Sequence, residues 1–486
     1  MSEKPDSAGD RRRPGFKISL GRLIDDFIVL STGQFLAKVF GFLAFAWLAR
    51  ILTVADYGAV ETAVGMAAIG AVAIELGTGS VGVRRIAQKE SSPSAVLGAV
   101  ISARLMLAVA IAPVLGLAYA VLTARSMPDA LFWLFAASLL AFPFNHNWFF
   151  QSQEKMAAAG FGQTLKMGAF LLAIHFLAPE SNGVLQVGVA EIISVSAMAI
   201  WYSALAFREL RPQRPAYSLA GGVATLRESG PLGGSAVVNT ASQYVPLVIV
   251  AALSTPAETA EFGASQRLIV SLITFSFVYY FNLYPLLARR FVDDTEGLKE
   301  VVAASVRVTA WVGVFVAAML WAAAPLIMRI VFGKEFAGAG PEFSVLAWVG
   351  ALTLASGNAR WLLVAAHRQA SLFWAQCAGA ATIFVLCALL TPTMGGTGAS
   401  IACALGAAVL WLVAHLRTKG LPVRAPLADN IPAAIVATAT IAALTIMNAG
   451  PVERAAVAFA AVAGGMVLDR RFRASVRVLA RAKSGG

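Results

Sequence analysis

Charge is scarce in this chain of 486 residues. Only 13% of its residues are Asp, Glu, Lys or Arg, against 58% hydrophobic, about half the charged share of a soluble globular domain. With a mean hydropathy of +0.74, the chain has more apolar surface than a soluble core could hide, which excludes a water-soluble fold. Cysteine is nearly absent as well. Cys377, Cys387 and Cys403 fall inside late apolar runs and are read as packing residues. Neither they nor the four histidines show a spacing that resembles a metal site. No paired carboxylates, nucleophile triad or metal cluster is placed for chemistry, so the sequence is not read as an enzyme.

What is present is a succession of apolar runs of about 20 residues, each able to cross a hydrocarbon core of about 30 Å. Fourteen can be placed, at 26–51, 57–78, 96–121, 130–151, 157–177, 184–207, 229–253, 261–286, 301–325, 342–366, 371–391, 399–416, 430–448 and 454–469. The net charge of +12 does not indicate nucleic acid, because the basic residues lie mainly between these runs. About 27 of them fall in the even-numbered loops and the two tails and about five in the odd-numbered loops, which predicts that both termini are cytoplasmic. The longest loop on the far side is RIVFGKEFAGAG, so no extracytoplasmic domain is expected.

The first 25 residues are polar and precede an apolar run too long for a cleavable signal. They are read as a cytoplasmic tail, in which Arg11, Arg12, Arg13, Lys17 and Arg22 hold the N-terminus inside and touch anionic lipid. The chain is then divided into that tail (1–25), a first lobe (26–207), a cytoplasmic linker (208–228), a second lobe (229–416), two further spans (430–469) and a basic tail (470–486). The linker ends in LAGGVATLRESGP, expected to lie at the membrane interface.

The division rests on an internal repeat. At a shift of 205 positions, Asp56-Tyr57-Gly58-Ala59 falls on Glu261-Phe262-Gly263-Ala264, and Arg84-Arg85 on Arg289-Arg290. The first twelve spans thus form two parallel bundles of six, a transporter architecture with a site between the bundles. Gln34 and Lys38 fall on Asn239 and Gln243, each pair on one helix face.

Polar groups at membrane depth are costly unless they face protein or a water-filled cavity. Lys38, near the midplane, is the first candidate for a cavity wall, followed by Lys166 and by Arg267, which begins a stripe with Ser271 and Thr274. Arg104, Arg307 and Arg360 lie nearer the cytoplasmic ends of their helices and are expected to extend to the headgroups; Arg104 is kept among the cavity candidates. Glu61, Glu75 and Glu191 are candidates for carrying a coupling proton or for ion pairs with the lysines. The fourth run closes in FPFNHNWFFQSQEKM, where Pro143 can break the helix and Trp148 is expected in an interfacial aromatic belt.

LTVADYG after the first run, WFFQSQEKM closing the fourth and VFGKEFAGA after the ninth resemble motifs of the polysaccharide transporter, or Wzx-like oligosaccharide flippase, family. That family belongs to the superfamily that also holds the MATE exporters and the lipid II flippases. The resemblance implies an all-α polytopic protein of about 14 transmembrane helices, two pseudo-symmetric six-helix lobes plus two C-terminal helices, in the bacterial inner membrane. It implies transport of an undecaprenyl-pyrophosphate-linked oligosaccharide by alternating access, with H⁺ or Na⁺ coupling and no other cofactor. Lys38, Lys166, Arg267 and Arg104, with Gln34, Asn239 and Gln243, would bind that cargo. A polysaccharide polymerase and the export machinery would be partners, alongside membrane lipids. Two rivals are a MATE-like exporter of cationic drugs, which would favour an acidic cavity, and a membrane enzyme of glycan assembly, which would need a long outer loop.

Overall fold

The computed structural model describes residues 20–122, 129–178, 183–447 and 449–484. The basic residues Arg11, Arg12, Arg13, Lys17 and Arg125 lie outside the described residues. Every regular element among the described residues is helical. The first half comprises α1 (Leu20–Ile51), α2 (Val54–Glu75), α3 (Thr78–Ala87), α4 (Pro93–Leu122), α5 (Asp129–Ser138), α6 (Asn147–Ser152), α7 (Met156–Leu177) and α8 (Val184–Glu209). The second comprises α9 (Leu219–Leu253), α10 (Pro256–Asp293), α11 (Thr295–Ala322), α12 (Ala324–Phe332), α13 (Gly340–Ala365) and α14 (Gln369–Arg417). They are followed by α15 (Ile431–Ile446), α16 (Pro451–Leu468) and α17 (Arg470–Ser484). Eleven described helical segments are long and apolar enough to cross a membrane, and the protein is a multi-pass membrane protein.

Three of the expected spans take a different form. The fourth is broken between α5 and α6 by a 3₁₀ turn, Phe142–Phe144, because Pro143 has no N–H to continue the ladder. Beyond the break, Trp148, Phe149 and Phe150 are buried and form no interfacial belt. Gly79 and Gly82 of α3 lie against the Trp148 ring instead. The eleventh and twelfth runs join into α14, bent at Gly395.

The segment 219–231 forms the first part of α9, ahead of the stretch from Gly233 that is apolar enough to cross a membrane. Ser218 caps that helix by accepting from the N–H of Gly221. The linker before it is tied to α4: the Ala216 N–H donates to the Ser94 carbonyl at 3.3 Å and the Ser218 N–H to Ser102 Oγ at 3.2 Å.

Within the first half, α1 packs on α7, and α7 on α8; within the second, α13 packs on α10, α11 and α14. The halves meet where α2 lies on α9 and α10. Here the sequence repeat becomes geometry. A Cβ on Gly58 would lie 2.8 Å from the Pro256 carbonyl oxygen of α10, and one on its counterpart Gly263 would lie 2.9 Å from the Glu61 side chain of α2. Their counterpart neighbours Tyr57 and Phe262 are both fully buried. The two halves thus use equivalent glycines where α2 and α10 pack most closely, Gly58 against backbone and Gly263 against the Glu61 side chain.

Candidate functional site: a cationic cavity beside an apolar crevice

At the end of the bundle that carries Thr53 and Thr255, the halves are locked together. Arg267 donates from Nε and Nη2 to the two oxygens of Glu61 at 2.7 and 2.6 Å. Tyr57 Oη donates to the same carboxylate at 2.6 Å, and the guanidinium lies 3.2 Å above the Phe45 ring centroid. Tyr57 is fixed edge-on against Phe332 and Phe336. Arg50 of α1 also donates from Nη2 to the Ile330 carbonyl of α12 at 2.6 Å. Bidentate geometry and a cation–π contact give this pair strength that a solvated surface pair would lack.

Deeper in the bundle is a cavity of about 520 Å³, bounded by α1, α9, α10, α13 and α14. Gln34 and Lys38 line it from α1, and their repeat counterparts Asn239 and Gln243 line it from α9. Gln266 in the same wall donates to the Gln243 carbonyl. Phe277, Tyr280 and Trp361 supply an aromatic side, with Tyr280 and Trp361 nearly parallel at 13°. Arg360 lines it from α13. Its Nη2 donates to the Thr353 carbonyl at 3.1 Å, and its Nε has no partner.

Among the described residues that line it, none is Asp or Glu. Lys38 and Arg360 have no carboxylate partner among the described residues; Lys38 donates to the hydroxyl of Thr274. The wall therefore presents two cations with no compensating anion, where an anionic ligand would be stabilised.

A second space of about 450 Å³ lies between α1 and α10 and shares Gln34, Lys38, Thr274 and Phe277 with the first. Its remaining lining includes Phe35, Phe275 and Phe281, all exposed on the outside of the bundle. Lys38 thus stands where a polar cavity meets an apolar crevice open to lipid.

The other expected cavity residues are elsewhere, and the reason is the same for each. Lys166 pairs with Glu191 at 2.9 Å inside the first half. Arg267 pairs with Glu61 at the lock. Arg104, only 1% exposed, does not extend to the headgroups: it donates to Thr78 Oγ1 at 2.8 Å and to the Asn145 carbonyl at 2.7 Å, with Glu75 at 3.5 Å. The six charges find one another because an isolated charge at membrane depth costs about 3 kcal/mol even on the most lenient scale. Arg307 is paired too, with Asp429. Arg360, expected to extend to the headgroups, is the charged residue of the described cavity wall that sequence reasoning missed, alongside the uncharged Gln266, Tyr280 and Trp361. The signal was its i, i+7 spacing from Thr353, which puts both on one face of α13.

Residues 23–291 match the sequence profile of the family described as polysaccharide biosynthesis protein. No curated protein matches the sequence. Among solved structures, the fold is similar to the lipid II flippase MurJ in an inward closed conformation. The TM-score is 0.73 at 11% identity, covering 91% of this chain and 99% of that one. It is also similar to an inward-facing multidrug resistance MATE family transporter of the MOP superfamily, with a TM-score of 0.64 at 14% identity over 87% of this chain and 100% of that one. A third similar structure is a MOP superfamily transporter from Pyrococcus furiosus, described by a reverse polarity of its binding pocket. Its TM-score is 0.52 at 14% identity over 88% of this chain and 96% of that one.

Proposed function

Because the chain belongs to the polysaccharide biosynthesis protein family, we propose that it is a flippase for an undecaprenyl-pyrophosphate-linked oligosaccharide, an O-antigen or exopolysaccharide repeat unit. It moves this cargo from the cytoplasmic to the outer leaflet of the bacterial inner membrane, with both termini cytoplasmic. The observation that carries this reading is the carboxylate-free cavity holding Lys38 and Arg360, continuous at Lys38 with an apolar crevice between α1 and α10.

Each part of such a cargo has a matching surface. A pyrophosphate cannot cross hydrocarbon unaided, because desolvating its charges costs many kcal/mol. Lys38 and Arg360 replace that solvation. Asn239, Gln243 and Gln34 offer amides to sugar hydroxyls, and Trp361 with Tyr280 offers flat apolar faces to sugar rings. The phenylalanines of the crevice suit a polyprenyl tail that stays in the bilayer while its head is inside.

In this conformation the Glu61–Arg267 lock closes the end assigned to the outer side. Alternating access requires that contact to part while the opposite ends of the halves approach. Coupling to H⁺ or Na⁺ belongs to the same proposal, with Glu61 as the carboxylate placed to feel it, because it bridges the halves. The polymerase and export machinery of the same polysaccharide are the partners this reading implies. A drug exporter of the MATE type would need an anion in the wall for its cationic substrates, and there is none among the described lining residues.

The test is deletion of the gene in its native host, with mass spectrometry of polyprenyl-linked glycans and an assay of the leaflet that holds them. Completed lipid-linked units accumulating on the cytoplasmic face, with surface polysaccharide lost, is the expected result. Unchanged pools and unchanged surface polysaccharide, in a strain with no second flippase, would remove the proposal.

A further inference from the structure

We propose that Glu261 and Glu342 form a proton-binding site at the end of the bundle that carries Thr53 and Thr255, and that the bound proton holds the two halves in contact there. The site is separate from the Glu61–Arg267 lock and does not rest on the identity of the cargo.

Three parts of the second half meet at this end: the first turns of α10, the 3₁₀ turn Lys334–Ala339 that leads into α13, and the bend of α14. They gather three carboxylates. Glu261 Oε1 lies over Gly338, 2.5 Å from where a Cβ would stand, and Glu258 Oε1 lies over Gly395. The Glu342 side chain lies on the next residue, its Cγ 3.2 Å from the Cβ position of Gly396.

Glu342 is only 6% exposed. Its Oε1 accepts from Thr397 Oγ1 at 3.0 Å, but its Oε2 is buried with no donor. The first turn of α13 favours negative charge, yet no N–H of that turn reaches Oε2. Thr391, one helical turn before the bend and 1% exposed, likewise has an unpartnered hydroxyl. A buried carboxylate with neither water nor a donor is costly, and a neutral carboxylic acid is much less so.

No cation relieves the cluster: among the described residues, none of the three acids is in an ion pair. Arg267 and Tyr57 are taken by Glu61, and Arg50 by the Ile330 carbonyl. Asp56 of α2 accepts from Thr53, and Arg329, Lys334 and Glu335 are exposed. Glu258 is engaged by Ser254 and completes the capping box of Thr255. Glu261 and Glu342 are therefore left to take the proton, which belongs to the pair and not to one member. Among the described residues no three His, Cys, Asp or Glu side chains are placed to hold a metal ion, so a proton is the occupant that fits.

The site bears on the other half through α10. A Cβ on Gly58 of α2 would lie 2.8 Å from the Pro256 carbonyl oxygen and 3.1 Å from the Ala260 nitrogen, so α2 rests on the turn that carries Glu258 and adjoins Glu261. Losing the proton leaves three like charges beneath that contact.

The test uses the full-length protein in phosphatidylcholine nanodiscs and the infrared carbonyl band of a protonated carboxylic acid, which shifts in D₂O. Wild type is expected to show the band at neutral pH and to lose it as pH rises, and E335Q, altered at an exposed acid, to behave in the same way. E261Q/E342Q is expected to lack the pH-dependent band yet unfold at the wild-type midpoint, because an amide resembles the neutral acid. Nitroxide labels at A55C and A257C, exposed positions in the first turns of α2 and α10, are placed in a C377S background. They are expected to move apart as pH rises in wild type but not in E261Q/E342Q. A band absent from wild type at neutral pH, a band that persists in the double variant, or a label separation that does not change with pH in wild type would overturn the proposal. So would removal of the band by sodium ions at fixed pH, which would assign the pocket to a metal cation. A markedly lower unfolding midpoint for E342Q alone would overturn it too, since the fold would then require the carboxylate.

Discussion

Glu61 of α2 and Arg267 of α10 stand 206 positions apart in the chain and form a bidentate ion pair across the contact between the two halves. Glu61 is 3% exposed, so neither water nor headgroup can take the place of its partner. Removing one member of a buried pair costs about 3–5 kcal/mol, because the other charge stays buried and uncompensated. Glu61→Gln is expected to lower the thermal unfolding midpoint and to raise the reactivity of a cysteine introduced at Ser271 towards a reagent added from outside. The E61Q/R267Q double variant should recover much of the stability while keeping the increased labelling. Unchanged labelling in both variants would mean that the pair holds the fold and not the conformation.

Lys38 and Arg360 carry the opposite expectation, because they face a cavity and, among the described residues, have no carboxylate whose burial depends on them. Lys38→Ala and Arg360→Ala are each expected to leave expression and unfolding midpoint near those of wild type while transport falls at least about tenfold, the loss of one charge-assisted contact. Lys38→Arg should retain a measurable fraction. The readout is flipping of lipid-linked oligosaccharide in reconstituted vesicles. Full transport by Lys38→Ala would take that residue out of the site.

How far these assignments could be read beforehand depends on what kind of information each requires. The spans were legible because apolar length is a local property. The cavity amides were legible because the repeat placed Gln34 and Lys38 opposite Asn239 and Gln243, and those four do line one cavity. Charge pairing was not, since the depth of Glu61 in its helix is written locally but the identity of its partner is set by the packing of α2 on α10. Lys166 and Arg267 therefore resembled Lys38 in sequence, although only Lys38 faces the cavity without a carboxylate. Arg360 was placed too near a helix end to be counted, and only its position on the face of Thr353 distinguished it.

The Lys166–Glu191 pair offers a test of that distinction. Their side chains are 22% and 13% exposed, and neither lines the cavity. Lys166→Met is expected to destabilise the protein, and K166M/E191M to recover most of the loss, as a packed apolar pair replacing a buried ion pair commonly does. Transport per folded molecule should be unchanged in the double variant. A large fall in transport by a stable K166M/E191M protein would return Lys166 to the substrate path.

The bend in α14 gives a prediction of a different kind, since it depends on backbone and not on charge. Gly395 has φ of +54° and ψ of −139°, a region that only glycine occupies without strain of about 1–3 kcal/mol. The space is closed as well, because a Cβ there would lie 2.1 Å from Glu258 Oε1. That carboxylate cannot withdraw freely: it completes the capping box of Thr255 at the start of α10. Gly395→Ala should therefore loosen two structures at once, the bend that turns the eleventh span into the twelfth and the cap that starts α10. The expected result is a lower unfolding midpoint and reduced membrane insertion. Adding Glu258→Ala should relieve the clash but not the backbone strain, and so restore stability only in part. Wild-type stability for Gly395→Ala alone would show that α14 can bend there without its glycine.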